Sequence, residues 1–199
     1  MKIRWLSHAC FEIKNSKTIL IDPYFKENPL APKYEEKPDL ILVSHEHFDH
    51  SDVSRFVSKI VCPPNMDCKN SIKMKIGDIK EIEGVKIVMV ESSHHQSEYA
   101  TGFIIEWEGK RLYHPGDTYV DAIKNRGNID VFFVPIGGFY TMNIDEAIQA
   151  LKIVKPKLAI PMHFNTFEKI KANPEEFKEK AEKLGFNVKV LNISESIEI

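Results

Sequence analysis

The sequence predicts an α/β fold in which two β-sheets pack face to face with helices outside. Three observations lead there. The chain is a succession of short apolar runs of strand length, with helical periodicity confined to a few capped segments. Metal-type side chains recur where those runs stop, at His45–His50, at His94 or His95, at Asp117 and at His163. In α/β architectures ligands gather at strand ends. There is also one internal echo: Lys37-Pro38-Asp39-Leu40-Ile41-Leu42-Val43-Ser44-His45 recurs loosely as Lys155-Pro156-Lys157-Leu158-Ala159-Ile160-Pro161-Met162-His163. Each is Lys-Pro, an apolar strand and a terminal histidine, which sets His163 where His45 sits in the other half. Residues 1–199 are expected to form a single domain built of two halves around a common core.

Taken in order, Ile3 to Ile13 alternates loosely and reads as a first strand or hairpin containing Trp5, His8 and Phe11. Lys17 to Ile21 is the next strand, with Asn15-Ser16 at the hairpin tip and an Asx-type turn at Asp22-Pro23. Residues 26–38, rich in proline, lysine and glutamate, form a loop long enough for a flap over whatever His45 binds. Leu40 to Val43 follows Pro38 as an unbroken apolar run, the pattern of a strand buried on both faces. Ser51 to Ser58 reads as a short helix with Ser51 as N-cap. Ile60 to Cys62 is a brief strand stopped by Pro63-Pro64. Residues 65–83 mix lysines with Asp67, Asp78, Glu81 and Glu83, a solvated face rather than a binding patch.

Val85 to Val90 is a strand leading to Ser92-Ser93-His94-His95. Phe103 to Trp107 and Arg111 to Tyr113 flank Glu108-Gly109-Lys110, a hairpin signal, and the second of them runs into His114-Pro115-Gly116-Asp117-Thr118. Val131 to Ile136 is a buried strand ending in Gly137-Gly138. Asn143 caps a helix with Glu146 as its capping-box partner, and Ile144, Ala147, Ile148, Leu151 and Val154 form its apolar face before Pro156. Leu158 to Ile160 is a strand leading to Pro161-Met162-His163-Phe164. A last helix spans Pro174 to Leu184, between Asn173 and Gly185. Val188 to Leu191 and Ile197 to Ile199 are closing strand candidates.

Composition narrows the function classes. With 43% hydrophobic and 28% charged residues the chain is globular rather than disordered. A net charge of −2 gives no electrostatic case for nucleic-acid or membrane binding. Cys10, Cys62 and Cys68 are an odd set without Cys-x-x-Cys spacing, which argues against a disulfide framework. Met1 to Phe11 is too short and polar for a signal peptide, and no apolar run approaches the roughly 18 residues of a membrane span. The expectation is a cytoplasmic protein with a small-molecule substrate; a homo-oligomer is compatible with the sequence.

The chemistry centres on His45-Glu46-His47-Phe48-Asp49-His50. In extended backbone, side chains two apart share a side. His45 and His47 therefore converge on one cation, Asp49 continues along that side, and His50, turned away, serves a second ion. Two neutral imidazoles and a carboxylate suit zinc, or a similar metal such as manganese or iron. The string resembles the signature of the metallo-β-lactamase superfamily. The chain also follows that family's order of elements: an aspartate turn (Asp22), the histidine loop, a lone histidine, an aspartate (Asp117) and a final histidine (His163). The resemblance covers essentially the whole chain and points to small metal-dependent hydrolases similar to L-ascorbate-6-phosphate lactonases. Trp5-Leu6-Ser7-His8-Ala9, Ile21-Asp22-Pro23, Tyr113-His114-Pro115-Gly116-Asp117-Thr118 and Ile160-Pro161-Met162-His163-Phe164-Asn165-Thr166-Phe167 carry it.

The resemblance implies a metallo-β-lactamase-like αββα sandwich of two mixed β-sheets flanked by helices, with two divalent metal ions per chain. It implies His45, His47 and His94 on one ion, Asp49, His50 and His163 on the other, and Asp117 bridging. The implied reaction is hydrolysis of a small-molecule ester, lactone or phosphoester by a hydroxide shared between the ions, with Asp49 as catalytic residue orienting it and helping move its proton. His94 is preferred to His95 because neighbours in extended backbone face opposite sides, and Ser92, two before His94, resembles the small residue of the family's third element. His8 is placed near the site as a substrate ligand or supporting residue, and His114 as a structural histidine. Gln96–Gly102 departs from the family's Gly-Asn-Pro-like loop, so substrate contacts are expected to differ there.

Three other readings compete. A ribonuclease Z-like phosphodiesterase is disfavoured by the near-neutral charge, the short chain and the absence of a basic arm. A flavodiiron-like redox protein is disfavoured because His47 stands where that branch tends to place a glutamate. A non-catalytic metal-binding scaffold fits poorly with a complete ligand set.

Overall fold

A computed structural model describes residues 1–199 and contains two mixed β-sheets. The first comprises β1 (Lys2–Trp5), β2 (Phe11–Lys14), β3 (Thr18–Ile21), β4 (Leu40–Leu42), β5 (Lys59–Cys62), β6 (Ser71–Lys73) and β13 (Ser196–Glu198), ordered β13-β1-β2-β3-β4-β5-β6. The second comprises β7 (Ile79–Ile82), β8 (Val85–Glu91), β9 (Thr101–Trp107), β10 (Lys110–His114), β11 (Val131–Pro135) and β12 (Leu158–Met162), ordered β12-β11-β10-β9-β8-β7. In each sheet one half is antiparallel meander and the other parallel: β3 to β6 run parallel in the first, β10 to β12 in the second. The echoed segments are β4 and β12, one in each parallel half, so the repeat read in the sequence is a repeat of architecture.

Alternation of side chains explains the unbroken apolar run at Leu40. Ile19, Ile21, Leu40, Leu42 and Val61 enter the main core between the sheets. Leu20, Ile41, Val43, Ile60 and Cys62 face the other way, into a second cluster with Leu6, Cys10, Tyr34 and Met66. Both faces of β4 are thus covered, and its charged continuation is pushed to the strand's carboxyl end. Truncating a side chain such as Ile41 to alanine is expected to cost about 2–5 kcal/mol, because it is fully enclosed.

The two outer layers differ. Outside the second sheet lie α1 (Ile144–Val154), which packs on β11, and α2 (Pro174–Glu182), which packs on α1. Asn143 and Glu146 close the expected capping box on α1, and Lys155, at φ 52°, ends it before Pro156. Asn173 and Pro174 start α2 as expected, but its regular part stops two residues before Leu184, where tighter bonds lead to Gly185. Outside the first sheet the cover is irregular chain. The helix expected over Ser51–Ser58 does not form, because its start is committed to tertiary contacts. Ser51 Oγ donates back to the carbonyls of Glu46 and His47 instead of capping, and Asp52 Oδ2 accepts from the backbone of Phe25 and Lys26. Residues 26–38 likewise cover the first sheet's outer face rather than forming a flap. Tyr34 stacks on Phe25 and donates its hydroxyl to Glu12 at 2.9 Å.

Residues 65–83 contain two strands the charge pattern hid, β6 and β7, which are the outermost strands of their sheets. An edge strand has one open side, so it carries lysine and glutamate without penalty and loses the alternation that marks a half-buried strand. Val188–Leu191 forms no strand; a single bridge joins Val188 to Ala159. No helix is long and apolar enough to cross a membrane.

Candidate metal centre

Strands end in turns around one point. The loop after β4 carries His45 to His50, the loop after β8 carries His94, the turn after β10 carries Asp117, and the end of β12 delivers His163. The turn between β1 and β2 adds His8. Four residues of these turns, Ser7 (φ 94°), His8 (φ 52°), Asp22 (φ 43°) and His163 (φ 55°), hold left-handed backbone without being glycine. Such residues cost of order 1–3 kcal/mol each unless the surroundings hold them there. Two glycines make the approach possible. A Cβ on Gly116 would lie 2.4 Å from the Thr101 carbonyl oxygen, and one on Gly137 would lie 2.2 Å from that of His163.

Two groups of donors result. His45 Nε2 is 3.2 Å, and His94 Nε2 3.3 Å, from His47 Nδ1. The other nitrogen of each ring faces an acceptor: Ser44 Oγ for His45, the Gln96 carbonyl for His47, and the Tyr140 carbonyl for His94. Ser44 Oγ spends its proton on Asp22 Oδ2, at 2.6 Å, and so accepts from His45. The protons of all three rings are thereby directed outward, and three lone pairs face one another. Neutral imidazoles so arranged cannot hydrogen-bond together, whereas donors tetrahedrally bound to zinc at 2.0–2.1 Å stand about 3.3–3.4 Å apart. The residues fit a metal.

The second group is His8, Asp49, His50 and His163, whose ligand atoms all lie within 4.8 Å of one another. Asp117 stands between the groups: its Oδ1 is 3.3 Å from His50 Nε2, its Oδ2 is 2.9 Å from His163 Nε2, and with His45 and His50 it forms a third cluster. His50 Nε2, Asp117 Oδ1 and both His163 nitrogens are buried without a partner in hydrogen-bonding geometry. Asp22 and Asp117 are buried, and Asp49 nearly so, yet none has a lysine or arginine partner; the only basic groups beside them are imidazoles. Three carboxylates with no permanently charged partner are costly to bury, so the charge balance also fits bound metal.

The electrostatics follow from that crowding. Burial pushes His45 down to about 3, reinforced by His50, and His8 down to about 4, reinforced by His163. Both rings therefore keep a free lone pair at neutral pH. Burial also opposes charge on His50, but Asp117 and Asp22 outweigh it and hold its pKa well above the usual histidine value. Burial alone would raise the three carboxyls, yet all lie below the usual range: Asp117 beside His163 and His50, Asp49 beside His8 and His50, Asp22 beside His50.

The structure brings together His45, His47, Asp49, His50, His94, Asp117, His163 and His8. One geometric expectation needs correction. The stretch after β4 is a turn, with His50 N bonded to the His47 carbonyl, not extended backbone. His50 is consequently not turned away but fully buried at the centre, its ring 4.2 Å from that of His45. His95 is exposed and stacks on Tyr119, while His94 is buried. His114 has partners for both nitrogens, at the Ala9 carbonyl and the Gly116 amide. What the sequence reading missed is the supporting role of Asp22. It accepts from the Ser44 amide, from Ser44 Oγ and from His50 Nδ1, and so orients a ring of each group. Asp22-Pro23 was visible as a turn, but nothing local says what its carboxylate holds.

A cavity of about 640 Å³ opens over the cluster, and Phe48, Gln96, Tyr140, Phe167 and Lys169 line its mouth. Tyr140 follows Gly137-Gly138, so the loop after β11 furnishes one wall. The β-lactamase superfamily domain model matches residues 2–163. The UPF0173 metal-dependent hydrolase of Thermoplasma acidophilum is 39% identical, over 100% of this chain and 99% of its own length. That of Thermococcus onnurineus is 40% identical over 89% and 91%. Among solved structures, the metallo hydrolase Igni18 from Ignicoccus hospitalis superimposes with a TM-score of 0.86 at 30% identity, covering 98% of this chain and 97% of its own. The chain belongs to the metallo-β-lactamase superfamily, within the UPF0173 metal-dependent hydrolases.

Proposed function

We propose that this protein is a dinuclear metal-dependent hydrolase acting on a small-molecule ester, lactone or phosphoester. In this reading His45, His47 and His94 hold one ion, Asp49, His50 and His163 the other, and Asp117 is shared. The observation that carries it is the convergence of ring nitrogens on both sides of a buried carboxylate that has no lysine or arginine partner. The names of the relatives support the hydrolytic part.

Two divalent ions, zinc or alternatively manganese or iron, would supply Lewis acidity there and lower the pKa of water toward neutrality. The chain's own groups do the rest. Asp49, anionic and 14% exposed, is the carboxylate of the cluster most open to the cavity. Its Oδ atoms orient a water molecule and accept its proton. Asp22, through Ser44 and directly, keeps the protons of His45 and His50 on Nδ1 and leaves Nε2 free. Glu46 holds the loops of the site together. Its carboxylate, drawn down to about 2, accepts from Ser97, the Glu98 amide and Asn65 and so ties the His94–Tyr99 loop to the histidine loop. A mouth of this size, apolar on one wall, suits a small molecule. With a net charge of −2, a polyanionic nucleic acid is a poor candidate.

The test is elemental analysis of purified protein, then a hydrolysis screen of lactones, phosphodiesters, thioesters and amides with zinc and manganese each supplied. Two ions per chain with turnover of an ester, lactone or phosphoester is the expected result. One ion or none after reconstitution refutes the dinuclear reading.

A further inference from the structure

We propose that His8 is a ligand of the second ion, so that this ion has five protein donors (His8, Asp49, His50, His163 and the shared Asp117) while the first has four. The pair is then unsymmetrical, and its second position favours an ion that accepts more than four ligands. The inference rests on the dinuclear reading above.

His8 is completely buried, and its Nδ1 is 3.1 Å from Thr166 Oγ1, which fixes the ring. Its Nε2 then points into the second group with no hydrogen-bond partner. Asp49 Oδ2, at 3.3 Å, is the nearby acidic oxygen but lies outside hydrogen-bonding geometry. That separation is the one expected between two donors on one ion. The ring is 4.0 Å from that of His163 and 5.3 Å from that of His50. His114 provides the contrast within the same molecule. It is as deeply buried, but both its nitrogens are satisfied, as a structural histidine requires.

The backbone is shaped to present this ring. Ser7 and His8 both take positive φ, and the turn is closed by the Leu6 amide on the Cys10 carbonyl at 2.9 Å. The His8 carbonyl is held by Trp5 Nε1 and by the amide of His163, each at 3.0 Å. Two rings of the second group are thus linked through one backbone bond. The ligand atoms of His8, Asp49, His50 and His163 lie within 4.8 Å of one another, close to the roughly 4.4 Å spread that metal–ligand bonds of 2.0–2.2 Å allow, and Asp117 meets this group at His50 and His163. Three imidazoles and two carboxylates exceed the tetrahedral number usual for structural zinc. They suit manganese, iron, cobalt or nickel.

Cobalt tests this, because four-coordinate cobalt absorbs visible light far more strongly than five- or six-coordinate cobalt. The full-length protein is titrated with cobalt alongside His8→Gln, which keeps the volume, and His8→Gly, which suits the positive φ. The expected outcome is two ions in the unaltered protein, the second with the weaker bands. Each variant should keep the first ion at unchanged affinity and bind the second at least about tenfold more weakly. As a check independent of folding of the variants, cadmium-loaded protein should show scalar coupling from the ion to the His8 ring nitrogen. Two ions at unaltered affinity and spectrum in both variants would overturn the inference alone, as would absent coupling to His8 when His50 and His163 show it. Fewer than two ions in the unaltered protein overturns the dinuclear reading and this inference together.

Discussion

Asp22→Asn separates orientation from ligation. Asp22 is fully buried, reaches no cavity, and sits at φ 43°, a conformation asparagine accepts. The substitution therefore changes one atom's hydrogen-bonding character and little else. The oxygen facing the Ser44 amide at 2.7 Å survives, whereas the position of Oδ2, which now takes Ser44 Oγ and His50 Nδ1, becomes a donor. His50 must then accept on Nδ1 and carry its proton on Nε2, the atom that faces Asp117. Losing a hydrogen bond to a charged group costs about 1.5–3 kcal/mol, which should appear in the stability of the metal-free protein. Disturbing a group that orients a metal ligand typically lowers affinity by about 10–100-fold, or about 1.4–2.7 kcal/mol. The assay is competition with a chromogenic chelator, with urea denaturation of the metal-free protein beside it. Affinity for both ions equal to that of the unaltered protein would refute the reasoning, because the tautomer of His50 would then not depend on Asp22.

Three further outcomes are expected. His94→Ala should lose the first ion while His95→Ala binds both normally, since only His94 turns its ring toward His47; metal titration of the two variants decides, and the reverse pattern contradicts the assignment. In the metal-free protein, His45 and His8 have folded pKa values of about 3 and about 4, below that of an unfolded histidine. The unfolded chain therefore takes up protons first, and stability should fall as pH drops from about 6.5 toward 4, by up to about 1.4 kcal/mol per pH unit for each ring. A urea midpoint that stays level across that window would show that these rings are not held neutral. Gly137→Ala should destabilise by about 1–3 kcal/mol and weaken the second ion, because its Cβ would meet the His163 carbonyl oxygen; a melting temperature and metal content matching the unaltered protein would rule this out.

The candidate ligands were legible because metal chemistry restricts residue type, and because strands deliver those residues at fixed places along the chain. His45, His47, Asp49, His50, His94, Asp117 and His163 could all be picked out that way. Strands buried on both faces and helices with strong caps were legible for a similar reason: their signals, such as Leu40–Leu42 or Asn143 with Glu146, are local. Edge strands were not, since β6 and β7 answer to one neighbour each and their side chains are free to be polar.

Contacts between residues far apart in the chain were left to the tertiary structure. Ser51 looked like a cap but is bonded backward to the histidine loop, and residues 26–38 had the length of a flap but found an apolar sheet face to cover. His50 was placed by counting along an extended strand, and a turn put it at the centre instead. Asp22 and His8 show the same limit. Each is a common residue in a turn, and its meaning comes from Ser44 and His50 in one case, Asp49 and His163 in the other. A sequence specifies which donors are available; only packing decides which of their lone pairs are left facing one another, because that depends on every partner the rest of each ring has already found.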